Sequence, residues 1–333
     1  MGLPEIFAGL ILIALVLYAV LGGADFGGGV WDLVATGPRA KEQRALIERA
    51  IAPVWEANHV WLILAVVLLF TAFPPAFSTL AIEYHVPLVI LLVGIVFRGS
   101  AFVFRQYGGG GEEATARWGR VFAIASTVTP VFIGITVGAV TAIDLPTNEL
   151  RVPSTYDTSW LRPFPILVGL FTLAQFAFVA AVYLTNEAET PELQNDFRWR
   201  GIGASLVSGV LAGASALTAG PSTAHFSSRL IGSTWTAPLA VLTTVSAVGA
   251  IVCLQARRYR VARVLAVAQV ALVIAGWGAA QYPYLIGPSL TVQEAAAPPA
   301  TLKVVWPVLI AGSVLLLPSL YWMLRVFKRP ASR

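Results

Sequence analysis

Charge is scarce in this chain of 333 residues: Asp, Glu, Lys and Arg together make up 12% of it, where a soluble domain carries roughly 25%. Too few charges remain to cover a water-facing surface, which excludes an ordinary soluble domain. Cysteine occurs once, as Cys253 inside an apolar run, so no internal disulfide framework or thiolate metal cluster is expected. That thiol reads as a small buried hydrophobe. Histidine is limited to His59, His85 and His225, and methionine to Met1 and Met323. Glu56-x-x-His59 has no second copy, whereas a di-iron carboxylate site draws such a motif from each of two helices plus further glutamates. No metal site is expected, and haem ligands are lacking because His85 and His225 fall in or near connectors. The tract Gly108–Gly111 has no preceding strand and no following Lys-Ser/Thr, so it reads as a turn and not a phosphate loop. No strand is expected anywhere, which leaves no setting for a Ser/His/Asp triad or a dinucleotide fingerprint. Met1 to Glu5 lacks a basic stretch and no small-residue cleavage site follows, so the first apolar run reads as a retained helix and not a signal peptide.

What is present is apolar. Hydrophobic residues make up 57% of the chain and mean hydropathy is +0.76. A bilayer core of about 30 Å needs roughly 20 apolar residues per helix. Nine segments qualify, at about 6–33, 51–73, 77–104, 118–143, 164–186, 201–219, 235–255, 261–283 and 304–327. The expected fold is an all-α integral membrane protein, with residues 1–333 as a single polytopic domain, arranged as two four-helix bundles plus one peripheral helix. Basic residues alternate. The odd connectors and the carboxyl tail hold 17 Lys and Arg, the even connectors hold Arg151, Arg162, Arg229 and Lys303, and Arg98 lies within a segment. Excess Lys and Arg marks the cytoplasmic side, so the amino terminus is expected outside and the carboxyl terminus inside. The net charge of +5 is then topology, and no nucleic-acid partner is implied. Tryptophans 31, 118, 160, 199, 235, 306 and 322 near segment ends fit interfacial belts.

Ionisable groups within membrane helices cost roughly 2.5–3.5 kcal/mol each on insertion scales and mark function by default. Clear cases are confined to the first three segments: Asp25, Glu56 with His59, and Arg98. The first segment runs inward, which puts Asp25 ~28 Å along it at 1.5 Å per residue. The second starts inside, so Glu56 and His59 are one to two turns in and share a helical face. The third runs inward and carries Arg98 late. All four converge on the cytoplasmic third. Three readings stay open at this point: a proton-uptake relay with Arg98 as counter-charge, a static salt bridge that locks the first three helices, or interfacial placement with side chains reaching headgroups. Asp32 and Asp144, near segment ends, read as hydrated. Glycines 22, 23, 27, 28 and 29 fit close helix approach.

These segments also carry a resemblance. Gly22-Gly23-Ala24-Asp25-Phe26-Gly27 is similar to the Asp-Gly-Phe-Asp-x-Gly motif of subunit II of the cytochrome bd family of terminal oxidases. Trp55-Glu56-Ala57-Asn58-His59-Val60-Trp61 resembles that family's second motif, and Arg98 to Arg105 its Arg-Gly-x-x-Phe-x-Phe-Arg motif. Tyr282-Pro283-Tyr284-Leu285 with Pro288-Ser289-Leu290-Thr291 is also similar. The resemblance implies a heterodimer in the bacterial cytoplasmic membrane with a haem-bearing subunit I, which carries haems b and d and oxidises quinol while reducing dioxygen to water. A small single-helix subunit is a further partner it allows. This chain would then ligate no haem, be non-catalytic alone, stabilise subunit I, hold a structural quinone and help proton uptake. Asp25, Glu56, His59 and Arg98 fall on the proton side, with Gly27, Trp55, Asn58, Trp61, Gly99 and Arg105 as motif and packing residues. Departures are Gly22 for the family's first Asp, Ala24 for its Phe, Val103 for a common Glu, and His59 for a common Glu or Gln. Two other classes compete: a proton-coupled secondary transporter, disfavoured because such proteins place their groups near the midplane in two halves, and a purely structural scaffold.

Overall fold

The computed structural model describes residues 2–51, 55–109, 111–142 and 158–327, without the side chains of residues 55–57, 222, 231, 323, 324, 326 and 327. In chain order the helices begin with α1 (Leu3–Leu33), α2 (Ala40–Ile51), α3 (Trp55–Ala72), α4 (Pro74–Glu83), α5 (His85–Tyr107) and α6 (Gly111–Ala142). They continue with α7 (Pro163–Glu187), α8 (Pro191–Thr218), α9 (Ala224–Gly232), α10 (Thr236–Gln255) and α11 (Tyr259–Gln281). A hairpin of β1 (Tyr284–Ile286) and β2 (Leu290–Thr291) precedes α12 (Pro299–Phe327). Among the described residues, eight helices are each long and apolar enough to cross a bilayer, and the bent pair α3–α4 supplies a ninth span.

Packing divides these spans as expected. The helices α1, α3, α5 and α6 form one group, with α1 against α3 and α6 and α5 against α6. The helices α7, α8, α10 and α11 form another, and α12 touches the rest only lightly, along α1 and α3. The two groups join through α1 and α6 against α7, and α1 against α11. One apolar core lies in that seam, where Tyr18 and Phe26 of α1 meet Phe176, Phe178 and Val179 of α7 and Ala266 and Val270 of α11. Close approach at the seam depends on glycine. A methyl added at Gly27 would collide with the Phe176 carbonyl oxygen and lie 2.7 Å from Ala180 Cβ, as small-residue packing between membrane helices requires.

Several expectations need correction. The third span starts at His85 and not at 77, because 77–83 belongs to α4, which turns 114° away from α3. The cause is local. Pro74 and Pro75 lack backbone N–H groups to continue the α3 ladder, so a new helix starts there, where proline is tolerated in a first turn. The sixth segment is longer than 201–219, because polar first turns carry α8 back to Pro191, capped by the Thr190 hydroxyl accepting from the Leu193 amide; α6 likewise reaches back to Gly111. Two short amphipathic helices, α2 and α9, occupy stretches expected to be connectors. The expectation of no strand is also wrong. Gly287, at φ 43°, turns the chain so that Tyr284 pairs with Thr291 and Ile286 with Leu290. That hairpin is tied to the bundle by Gly287 N–H donating to Val140 O at 3.0 Å and Ala297 N–H to Ala72 O at 2.8 Å.

Candidate functional site

Ionisable side chains gather at the end of the first bundle that carries the basic connectors. On α1, Asp25 and Asp32 stand seven residues apart; on α5, Arg98 and Arg105 do the same. Seven residues are close to two helical turns, so each pair lines one face, ~10.5 Å apart along the axis at 1.5 Å per residue. The two helices run in the same direction through the bundle, and the spacings match. Arg98 Nη2 lies 2.5 Å from Asp25 Oδ1, and Arg105 Nη1 donates to Asp32 Oδ2 at 2.8 Å. The result is a ladder of two ion pairs, one deep and one at the rim.

The deep rung is sealed. Arg98 is 1% exposed and Asp25 4%. Arg98 Nε donates to Ser126 Oγ at 3.1 Å, and its guanidinium lies over the rings of Phe26 at 4.6 Å and Phe122 at 5.1 Å. Ser126 can sit there because Gly29 opposite has no side chain; a methyl at Gly29 would overlap Ser126 Cβ. The Asp25 carboxylate is also faced by the Asn58 amide. On the neighbouring α3, Asn58 is buried and its Nδ2 donates to Leu21 O at 3.3 Å. The half-buried His59 ring stands 6.1 Å from Phe26 and 6.0 Å from Tyr18, with Nδ1 buried and without a hydrogen-bond partner among the described residues. Asp25, Arg98 and His59 are therefore brought around one aromatic ring, that of Phe26. Glu56 begins α3 one turn before His59, but its side chain and that of Trp55 lie outside the described residues.

The rim rung is wider. Asp32 is buried and also faces Arg44 Nε at 3.4 Å, while Arg105 reaches Glu48 Oε2 at 3.2 Å. Reading Asp32 as a hydrated helix-end residue is thus wrong, because α2 folds back over the end of α1 and covers it. The signal that could have found it was its heptad spacing from Asp25, matched by that of Arg98 and Arg105. Asp144 lies outside the described residues. Of the remaining motif residues, Trp61 packs part-buried on the central core and Gly99 is part-buried beside Arg98.

The other histidines stand elsewhere. His85 is the first residue of α5, with Nδ1 2.9 Å from Ile82 O near the end of α4. His225 of α9 meets the Tyr284 ring edge-on at 4.8 Å. Burial, reinforced by the Arg229 charge, holds the His225 imidazole below its usual value of 6.5. No group of three His, Cys, Asp or Glu side chains able to hold a metal ion occurs among the described residues.

Comparison with known proteins bears on this geometry. The family described as "Cytochrome bd terminal oxidase subunit II" matches residues 3–327. The chain is 32% identical over 138 residues to cytochrome bd ubiquinol oxidase subunit 2 of Bacillus subtilis (strain 168), covering 40% of this chain and 39% of that protein. It is 28% identical over 183 residues to cytochrome bd-I ubiquinol oxidase subunit 2 of Escherichia coli (strain K12), covering 53% and 46% respectively. The matched stretches thus span less than half of these curated relatives. A solved structure of bd oxidase from Geobacillus thermodenitrificans shares the fold at a TM-score of 0.76 and 23% identity, covering 98% of this chain and 99% of the other.

Proposed function

Because the chain belongs to the cytochrome bd terminal oxidase subunit II family, we propose that it serves as the haem-free partner of a haem-bearing subunit I in a complex that oxidises quinol and reduces dioxygen to water. Its own part is to stabilise that subunit and to take up protons through the Asp25–Arg98 cluster. The basic end of the bundle then faces the cytoplasm of a bacterium, with the amino terminus outside. Haems b and d belong to the partner. A structural quinone and a small single-helix subunit remain further members of the proposed assembly.

One observation carries the proton reading: a carboxylate, Asp25, sits beside Arg98 at 1–3% side-chain exposure, with the Asn58 amide as a further partner. Arg98 balances one carboxylate. Glu56, one turn from His59 on the same face, adds a second acid. In the proposed relay Asp25 and Glu56 are the exchanging carboxylates and Arg98 the counter-charge. The rim rung, with Asp32, Glu48, Arg44 and Arg105, contains two acids and two bases and so is charge-balanced, as suits the mouth of such a path. His59, where Glu or Gln is common in the family, supplies an imidazole between Tyr18 and Phe26.

The test is Glu56→Gln in the assembled complex. Oxygen consumption per haem is expected to fall at least tenfold, with haem content and subunit ratio unchanged. Normal turnover in that variant removes the relay and leaves a structural role. Purified chain that carries a solute across vesicles without any haem partner overturns the oxidase reading itself in favour of a proton-coupled transporter.

A further inference from the structure

A second cluster lies outside the ladder, at the same basic end, where the α1–α2 connector meets the first turns of α8. Arg39 makes a two-pronged contact with Asp196, Nε to Oδ2 at 2.9 Å and Nη2 to Oδ1 at 2.6 Å. Gln43 of α2 donates its Nε2 to Asp196 Oδ2 at 2.8 Å and accepts from Arg200 Nη2 at 2.8 Å through its own Oε1. These side chains, with Thr36 and Trp199, line a cavity of about 270 Å³. Arg200 is braced by the rings of Phe197 at 5.1 Å and Trp31 at 5.5 Å, and its Nη1 is buried without a hydrogen-bond partner among the described residues. Two guanidinium groups therefore face one carboxylate across the cavity. Glu42 and Glu192 act on Arg39 from a distance, but neither lines the space.

We infer that this cavity binds the phosphodiester of an anionic phospholipid from the leaflet at the basic end of the bundle. Charge, reach and level support that choice. One surplus positive charge matches the single negative charge of a phosphodiester, and Arg200 offers a guanidinium nitrogen not yet used, in the geometry suited to phosphate oxygens. Trp199 beside it is 58% exposed on the outside of α8, where an indole marks the headgroup level. The helix α2, which supplies Gln43, has 12 residues, too few to span, and packs its apolar residues Leu46, Ile47 and Ile51 onto the bundle. Basic pockets between helices at this level are the expected seats for anionic headgroups. The lipid would pin the α1–α2 connector to α8 and so hold α2 over the rim rung. The inference does not rest on the proton reading.

Native mass spectrometry of the intact complex decides it. The complex is taken from nanodiscs of phosphatidylcholine doped with phosphatidylglycerol, and from phosphatidylcholine nanodiscs in buffer with inorganic phosphate. Wild type should retain phosphatidylglycerol, and Arg200→Gln should retain it about tenfold less, the effect of losing one charge-assisted hydrogen bond. Asp196→Asn, which raises the surplus charge, should retain more. Equal retention by wild type and Arg200→Gln overturns the site. Protection of the cavity by inorganic phosphate alone, with no retained phosphatidylglycerol, overturns the lipid as occupant. If Arg200→Gln fails to assemble, Asp196→Asn carries the decision, and retention no greater than wild type refutes the charge argument.

Discussion

Replacing Asp25 by Asn leaves Arg98 charged, 1% exposed and without its counter-ion, and the size of the resulting loss follows from what else touches it. Unit charges ~4 Å apart attract by about 4 kcal/mol at an effective dielectric of about 20. The hydrogen bond from Arg98 to Ser126 contributes about 1.5–3 kcal/mol as a charged bond, and the two ring contacts about 1–2 kcal/mol together. Against these, placing two charges at this depth costs about 5–7 kcal/mol on insertion scales. The two sides close to within a few kcal/mol, so the intact pair adds little net stability. Removing one partner is another matter. Ser126 and the rings remain, but the lost attraction of about 4 kcal/mol is uncompensated, so Asp25→Asn should destabilise the assembled complex by about 3–4 kcal/mol, in line with other buried pairs broken from one side. The double variant Asp25→Asn/Arg98→Gln should recover most of that loss. Stability is read by thermal inactivation of the complex, and function by oxygen consumption per haem. In the double variant stability should return while turnover stays low. A double variant that turns over like wild type refutes the proton role, and an Asp25→Asn single variant as stable as wild type refutes the buried ion pair.

Gly27→Ala should disrupt the α1–α7 seam, because the added methyl meets the Phe176 carbonyl; overpacking of this kind costs about 1–3 kcal/mol or more, seen as reduced assembly, and normal yield and melting would contradict the packing. Arg105→Gln leaves buried Asp32 with Arg44 alone at 3.4 Å and releases Glu48. It should weaken the rim by about 2–4 kcal/mol, and increased amide exchange across α2 by mass spectrometry is the check. His225 binds its proton less readily folded than unfolded, so its contribution is complete above its ordinary value of 6.5 and lost as pH falls through the lower folded value. Histidine C2 exchange should give a midpoint below 6.5, and a midpoint at or above it contradicts the burial.

Much of this architecture could be read from hydropathy, since runs of about 20 apolar residues leave little choice in a bilayer. The four, four and one division was expected without evidence from the residues, and the packing now supplies it. What escaped notice was short-range or tertiary. Pro74-Pro75 read as part of a connector, yet it starts a helix that bends 114° from α3. The hairpin at Tyr284–Thr291 was invisible because strands of three and two residues carry no period. Asp32 looked hydrated because nothing local reveals that α2 covers it. The Asp25–Arg98 meeting was legible for a different reason: with spans and directions assigned, depth follows from residue number, and charges at equal depth in a bilayer seek one another.

The ladder bears on why the chain keeps charge in its interior. A pair that merely held helices together could be replaced by packed apolar side chains at equal or better stability, and the seam already binds α1 to α7 through Phe26, Phe176 and Phe178. The rim pair repeats the same geometry two turns away with wetter surroundings, Arg105 at 12% and Glu48 at 34% side-chain exposure. Two rungs of one kind, differing chiefly in exposure, stand one behind the other from the rim inward, and the proposed proton role requires that breaking either slows turnover, whereas a brace alone requires only lost stability.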